Sequence, residues 1–176
     1  MTRILFAFAF GLLALTAPAR AADVATLSCV IDKLSPDLRA KLVANYDAHI
    51  RDAKVEMDQA LDGQMVAFAD ACRAKNGWTE NERQSALIWT RSTIALPIGE
   101  KYARERGIDV DTIWKIWRAQ PVETRSRRLQ REDLDKLAAA FQSAGLFNRQ
   151  GDASVIGVLL AYMSTNEYGR AGFIAG

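Results

Sequence analysis

Arginines are the side chains whose spacing in this sequence most clearly suggests chemistry. Five of them fall close together: Arg118, Arg125, Arg127, Arg128 and Arg131. Only Glu123 opposes this charge before the acidic pair Glu132-Asp133. The planar guanidinium presents a fork of donors that matches phosphate and carboxylate groups. We therefore predict that the last four of these arginines contact a partner, either an anionic envelope component or an acidic protein surface.

The same arginines also permit a plainer interpretation. In it, the segment is a solvated loop whose arginines pair with carboxylates elsewhere in the chain, for example Asp47, Asp58 and Asp62. Exposed ion pairs of this kind contribute little to stability. The two interpretations differ in whether carboxylates of the folded chain lie next to the arginines, which the sequence leaves open.

Histidine is nearly absent, because His49 is the only one in the chain. A Ser–His–Asp or Cys–His nucleophile would have to use it, and no nucleophile-elbow motif is present. The sequence also contains no Cys-x-x-Cys, Cys-x-x-Cys-His or His-Glu-x-x-His motif. Zinc and haem sites therefore lack their usual ligands. We predict no catalytic residue, no metal and no cofactor.

Carboxylates provide two alternatives to that prediction. His49, Asp52 and Glu56 fall near one face of a predicted helix and could bind a divalent metal, although such sites usually draw acids from several helices. Glu100 is the acid to test first for a small cell-wall glycoside hydrolase, which would need a second acid across a cleft. Arg104 lies four residues after Glu100, where an ordinary helix-surface ion pair forms instead.

The two cysteines, Cys29 and Cys72, predict one disulfide, because exported proteins are oxidised. The alternative is a pair of buried free thiols. Apolar residues at spacings of three and four would otherwise predict a single helix from Pro36 to Lys75. That helix would carry Cys72 about 54 Å from Pro36, whereas the chain from Cys29 to Pro36 reaches only about 25 Å. A bridge therefore requires a break in the helix.

Two positions for the break remain open. Asp62-Gly63 is the only strong turn signal in the segment. A break nearer Asp47–Asp52 would close the disulfide ring more easily, but the sequence gives no turn signal there.

An export signal is predicted over residues 1–21. Arg3 supplies the charged start, an apolar run follows, and Ala19-Arg20-Ala21 provides the small residues that a signal peptidase reads. The chain has 23 basic and 21 acidic residues, and Arg3 and Arg20 leave with the signal, which contains no acid. The mature chain is thus formally neutral, which gives no support for nucleic-acid binding. We predict a periplasmic or secreted protein without a transmembrane segment in the mature chain.

Residues 22–176 predict an all-α fold: a single-domain bundle of five or six helices around a kinked central helix. The central helix spans residues 79–106, where Thr79 and Glu82 form a capping box. It is apolar over more than half its circumference, so we expect it to be covered on two sides. Pro97 predicts a kink. The Gly-rich tail from Gly169 is expected to fray.

These patterns favour a non-enzymatic exported protein that serves as a binding or protein-interaction module. The alternative function is the carboxylate-based hydrolase. A deep cleft with two acids roughly 5 to 9 Å apart would favour the hydrolase. A convex surface with Arg125, Arg127 and Arg128 exposed together would favour the interaction module.

Overall fold

Eight α-helices and one short 3-10 helix make up the described part of the chain, residues 23–176 of this computed structural model. They are α1 (Cys29–Asp32), α2 (Pro36–Arg51), α3 (Gln59–Asn76), α4 (Glu80–Glu105), α5 (Val110–Arg118), α6 (Val122–Arg125), α7 (Arg131–Ser143) and α8 (Asp152–Ala175). No strand occurs in these residues, so the predicted all-α class is confirmed. The predicted export signal lies outside the described residues.

The predicted count of five or six helices is too low. The two unexpected helices, α1 and α6, have only four residues each. A single turn is too short to show the 3.6-residue repeat of apolar positions by which a helix is predicted. The other six helices have at least nine residues each.

The central helix α4 organises the fold. Thr79 and Glu82 form the predicted capping box, which satisfies backbone donors at the start of the helix. The most extensive contact of α4 is with α8, while α2 and α3 pack against α4 as well. The expected coverage on more than one side is therefore confirmed. The helix continues without interruption through Pro97, and the kink stays a prediction.

The break between α2 and α3 lies at residues 52–58, directly after the stretch that had no turn signal. Asp58 caps α3, because its carboxylate accepts hydrogen bonds from the backbone of Ala60 at 2.8 Å and of Leu61 at 3.2 Å. Gly63, the stronger turn signal, lies inside α3. A glycine within a helix costs only about 1 kcal/mol, so packing of α3 against α4 outweighs it.

This break brings the two cysteines together. The sulfur atoms of Cys29 and Cys72 lie at disulfide-bonding distance, and their Cα atoms are 6.0 Å apart. The predicted pairing thereby links α1 to the last turns of α3. The continuous helix that periodicity alone predicts is incompatible with this arrangement.

The last helix, α8, extends to Ala175, which differs from the expected frayed tail. Phe173 is fully buried and packs edge-on against Trp78. A Cβ atom on Gly169 would lie only 2.8 Å from the backbone nitrogen of Trp89. The glycines at this end therefore allow α8 to approach α4 closely.

Buried apolar side chains form two clusters that share α4 and α8. The first includes Leu42 and Met65 from α2 and α3. The second includes Trp117 and Phe141 from α5 and α7. Tyr102 on α4 packs against both clusters. Among the described helices, none combines the length and the apolar character needed to cross a membrane.

Candidate functional site

The arginine segment, residues 118–131, runs from the end of α5 through the single turn α6 to the start of α7. Asp109 caps α5 by accepting backbone hydrogen bonds from Asp111 and Thr112, each at 3.1 Å. The segment then passes along α8, to which α6 packs. Its five arginines consequently have three different environments.

Arg125 is bound within the fold. Its guanidinium forms an ion pair with the carboxylate of Glu167 on α8 and donates from Nε to the carbonyl of Gln120 at 3.2 Å. Glu167 also accepts a hydrogen bond of 2.8 Å from the indole nitrogen of Trp117, which is fully buried. Arg125 and Glu167 therefore tie the segment to α5 and α8, and Arg125 is not free for a partner.

Arg127 is also satisfied within the chain. It donates two hydrogen bonds to the carboxylate of Asp133, at 2.7 and 3.0 Å. Asp133 accepts a further one from the backbone nitrogen of Gln130 at 2.7 Å, as part of the cap of α7. The hydrogen bond from Arg127, followed by that from Gln130, lowers the pKa of the Asp133 carboxyl. The same pair raises the pKa of Arg127.

Arg128 and Arg131 are different, because both are exposed and neither forms an ion pair within residues 23–176. The guanidinium carbon of Arg128 lies 5.7 Å from the centre of the Tyr168 ring, a cation–π contact that holds it against α8. Arg118 makes a similar contact, at 4.8 Å, with Trp114. The segment thus offers three exposed guanidinium groups without an ion pair in the described residues, of which those of Arg128 and Arg131 lie at the start of α7.

The acids proposed as internal partners are engaged elsewhere. Asp47 pairs with Arg51 at 2.9 Å and Asp62 pairs with Arg91 at 2.6 Å. Asp58 caps α3. The plainer interpretation is therefore right that some arginines pair internally, for which the partners are Glu167 and Asp133. The prediction that Asp47, Asp58 and Asp62 are their partners is wrong.

A groove of about 460 Å³ lies beside Arg128, between α4, α7 and α8. Its lining is mostly apolar and includes Ile88, Leu129, Leu134, Leu160 and Tyr168. Leu134 is 44% exposed although it is a large apolar residue. We call this feature the apolar groove.

Two further properties of the apolar groove concern its polarity and the room inside it. The hydroxyl of Thr165 donates to the carbonyl of Ala161 at 2.8 Å, so it is bonded to its own helix. Gly157 also lines the groove, and a Cβ atom there would meet no atom within 4 Å. The groove therefore has open space above Gly157, and Arg128 supplies charge at its edge.

The hydrolase alternative loses support from the surroundings of Glu100. One carboxylate oxygen accepts a hydrogen bond from the indole of Trp114 at 2.7 Å, and the other from Arg104 at 3.2 Å. The expected ion pair with Arg104 is thus confirmed. Both oxygens of the Glu100 carboxylate are therefore occupied by donors of the chain itself.

The metal alternative loses its geometric basis, because α2 ends at Arg51. Asp52 and Glu56 consequently do not continue the helix face on which His49 lies. The Nδ1 atom of His49 is 2.6 Å from the carbonyl oxygen of Val55. The described part of the chain contains no group of three His, Cys, Asp or Glu residues that could hold a metal ion.

A second cavity, of about 420 Å³, lies where the ends of α2 and α4 meet the start of α8. Its lining includes two arginines, Arg51 and Arg106, that already form ion pairs with other residues of the chain. Arg51 pairs with Asp47 at 2.9 Å and with Glu105 at 2.8 Å, and Arg106 pairs with Asp152 at 3.4 Å. This cavity therefore offers less uncompensated charge to a ligand than the apolar groove with Arg128.

Sequence reasoning identifies the arginines but misses the apolar groove. Its walls come from distant parts of the chain, and periodicity shows only that each residue is apolar. One available signal is Gly157, which interrupts the apolar run of α8 where glycine is an unfavourable helix residue.

Comparison with protein-family models, with curated proteins and with solved structures gave no match to this chain. The functional interpretation therefore depends on the geometry of the chain itself.

Proposed function

We propose that this chain is a non-enzymatic, exported binding protein that attaches weakly to anionic lipid surfaces through Arg128 and Arg131. The observation that carries the proposal is the exposure of these two arginines without an ion-pair partner in the described residues. Guanidinium groups suit phosphate and carboxylate head groups. Arg125 and Arg127 support the surface indirectly, because their ion pairs hold the segment in place.

Charge supports weak rather than tight binding. The mature chain predicted from the sequence is neutral, so no long-range field attracts it to an anionic surface. Exposed charges interact over only about 8 Å at physiological salt. Binding should therefore be detectable at low salt and lost as salt rises.

The test uses sedimentation of the protein with vesicles containing phosphatidylglycerol, compared with vesicles of phosphatidylcholine alone. We expect wild-type protein to bind the anionic vesicles at low salt and the variant Arg128→Gln/Arg131→Gln to lose that binding. The matched control is Arg39→Gln/Lys54→Gln, which removes two exposed cations, neither of which forms an ion pair in the described residues, from the α2 side of the molecule. The proposal is wrong if the wild type ignores anionic vesicles, or if both double variants lose binding equally.

A further inference from the structure

We propose that the apolar groove binds the chain of a single fatty acid, whose carboxylate pairs with Arg128. The inference rests on the proposed function in one respect, since Arg128 serves both. The inference adds a class of ligand, the fatty acids, and a binding site, the apolar groove. Attachment to a lipid surface through Arg128 and Arg131 needs neither.

The lining of the groove matches an acyl chain. Ile88, Leu129 and Leu160 present apolar walls from α4, from the arginine segment and from α8. Thr165 donates its hydroxyl to the carbonyl of Ala161 within α8, so that hydroxyl is not left needing a partner. An alkyl chain needs no hydrogen bonds and gains free energy by leaving water.

Charge complementarity selects an anionic head group. Arg128 lines the groove, is exposed, and has no carboxylate partner among the described residues. Its position over the Tyr168 ring leaves the donors of the guanidinium available to a carboxylate. One guanidinium matches one carboxylate, which is the head group of a fatty acid.

The size of the groove favours a small ligand over a partner helix. Its volume of about 460 Å³ lies within the range of roughly 300–1,000 Å³ for small-molecule sites. A helix is about 10–12 Å wide with its side chains and is recognised by several anchors along its length. The single unpaired cation in this lining provides one polar anchor.

Gly157 gives the apolar groove a position without a side chain. Glycine is the least favourable helix residue apart from proline, and α8 is otherwise apolar around this position. Gly169 on the same helix is needed for close packing, because a Cβ atom there would collide with the backbone of α4. No neighbour lies within 4 Å of a Cβ atom on Gly157, so packing does not explain the glycine. Its effect is to leave the groove empty.

Titration of the protein with palmitate, below the concentration at which palmitate aggregates, tests the inference by calorimetry. We expect Gly157→Leu to weaken palmitate binding at least tenfold, because the leucine fills the groove. The matched control is Gly63→Leu on α3, a helical glycine that also has no neighbour within 4 Å of a Cβ atom. Circular dichroism should show that both variants are as helical as the wild type.

A second comparison tests the head group. Arg128→Gln should weaken the binding of palmitate several-fold without changing the binding of hexadecanol, whereas Arg128→Lys should retain most of the palmitate affinity. Gly157→Leu should still sediment with anionic vesicles. The fatty-acid inference is overturned if palmitate does not bind, or if Gly157→Leu binds it as tightly as Gly63→Leu. Palmitate binding without vesicle binding would overturn the proposed function and leave this inference standing.

Discussion

Glu167 is the side chain that holds the arginine segment in position against the rest of the fold. One of its oxygens accepts the indole hydrogen of Trp117, and the other pairs with Arg125. The carboxylate thereby joins a fully buried residue of α5 to the segment that precedes α7. Arg125 and Arg127 are held by Glu167 and Asp133, whereas Arg128 and Arg131 form no ion pair in the described residues.

We therefore predict that Glu167→Ala lowers the free energy of unfolding by about 1–3 kcal/mol, since it leaves the buried indole hydrogen of Trp117 without a partner. Urea unfolding followed by tryptophan fluorescence measures the change. Glu123→Ala is the control, because Glu123 is exposed on α6 and makes no ion pair in the described residues. Equal stabilities of the two variants would show that Glu167 does not have this structural role.

At the scale of elements, the pair α4–α8 determines most of the architecture. It carries the most extensive helix contact and participates in both apolar clusters. The approach is closest at Gly169, where a Cβ atom would lie 2.8 Å from the backbone nitrogen of Trp89 and 3.0 Å from the carbonyl oxygen of Ser85. Backbone atoms at this distance cannot move aside as a flexible side chain would.

Gly169→Ala should consequently destabilise the protein by about 1–3 kcal/mol, because the added methyl group overpacks the interface between α4 and α8. Gly63→Ala should act in the opposite direction, raising stability by up to about 1 kcal/mol through helix propensity alone. Thermal melts of both variants and of the wild type measure the contrast. A Gly169→Ala protein as stable as Gly63→Ala would mean that the two helices are not in close contact there.

At the scale of the whole molecule, the bond between Cys29 and Cys72 encloses α2 and most of α3. The two residues are 43 positions apart in sequence. On the chain-entropy view, closing a loop of this size contributes about 4 kcal/mol by restricting the unfolded chain. That is a large part of the ~5–15 kcal/mol by which a domain is usually stable.

Cys29→Ser, or reduction of the wild type, should therefore lower the melting temperature markedly while the helical circular dichroism signal at low temperature persists. The bond itself is checked by intact mass after alkylation under denaturing conditions, on protein purified from an oxidising compartment. A monomer that takes up two alkyl groups would show two free thiols and refute the bridge.

Local patterns were sufficient to predict the all-α class and the start of α4, while the cysteine pair was predicted from the presence of only two cysteines and the expected export. A capping box is defined by residues three positions apart, and a helix shows its buried face through spacings of three and four. The short helices α1 and α6 escaped prediction for the same reason, because one turn contains too few residues to show a period. Thr79 and Glu82 thus specify the start of α4 without reference to any other helix.

Tertiary structure alone decided which arginines are free and where the apolar groove lies. Arg125 forms its ion pair with Glu167, which is 42 positions away in sequence. The apolar groove is lined by residues of three helices, among them Ile88 of α4, Leu134 of α7 and Gly157 of α8. No local pattern records such neighbours, because they depend on how the helices pack. The break at residues 52–58 was decided in the same way: burial of α3 against α4 outweighs the small cost of Gly63 within a helix.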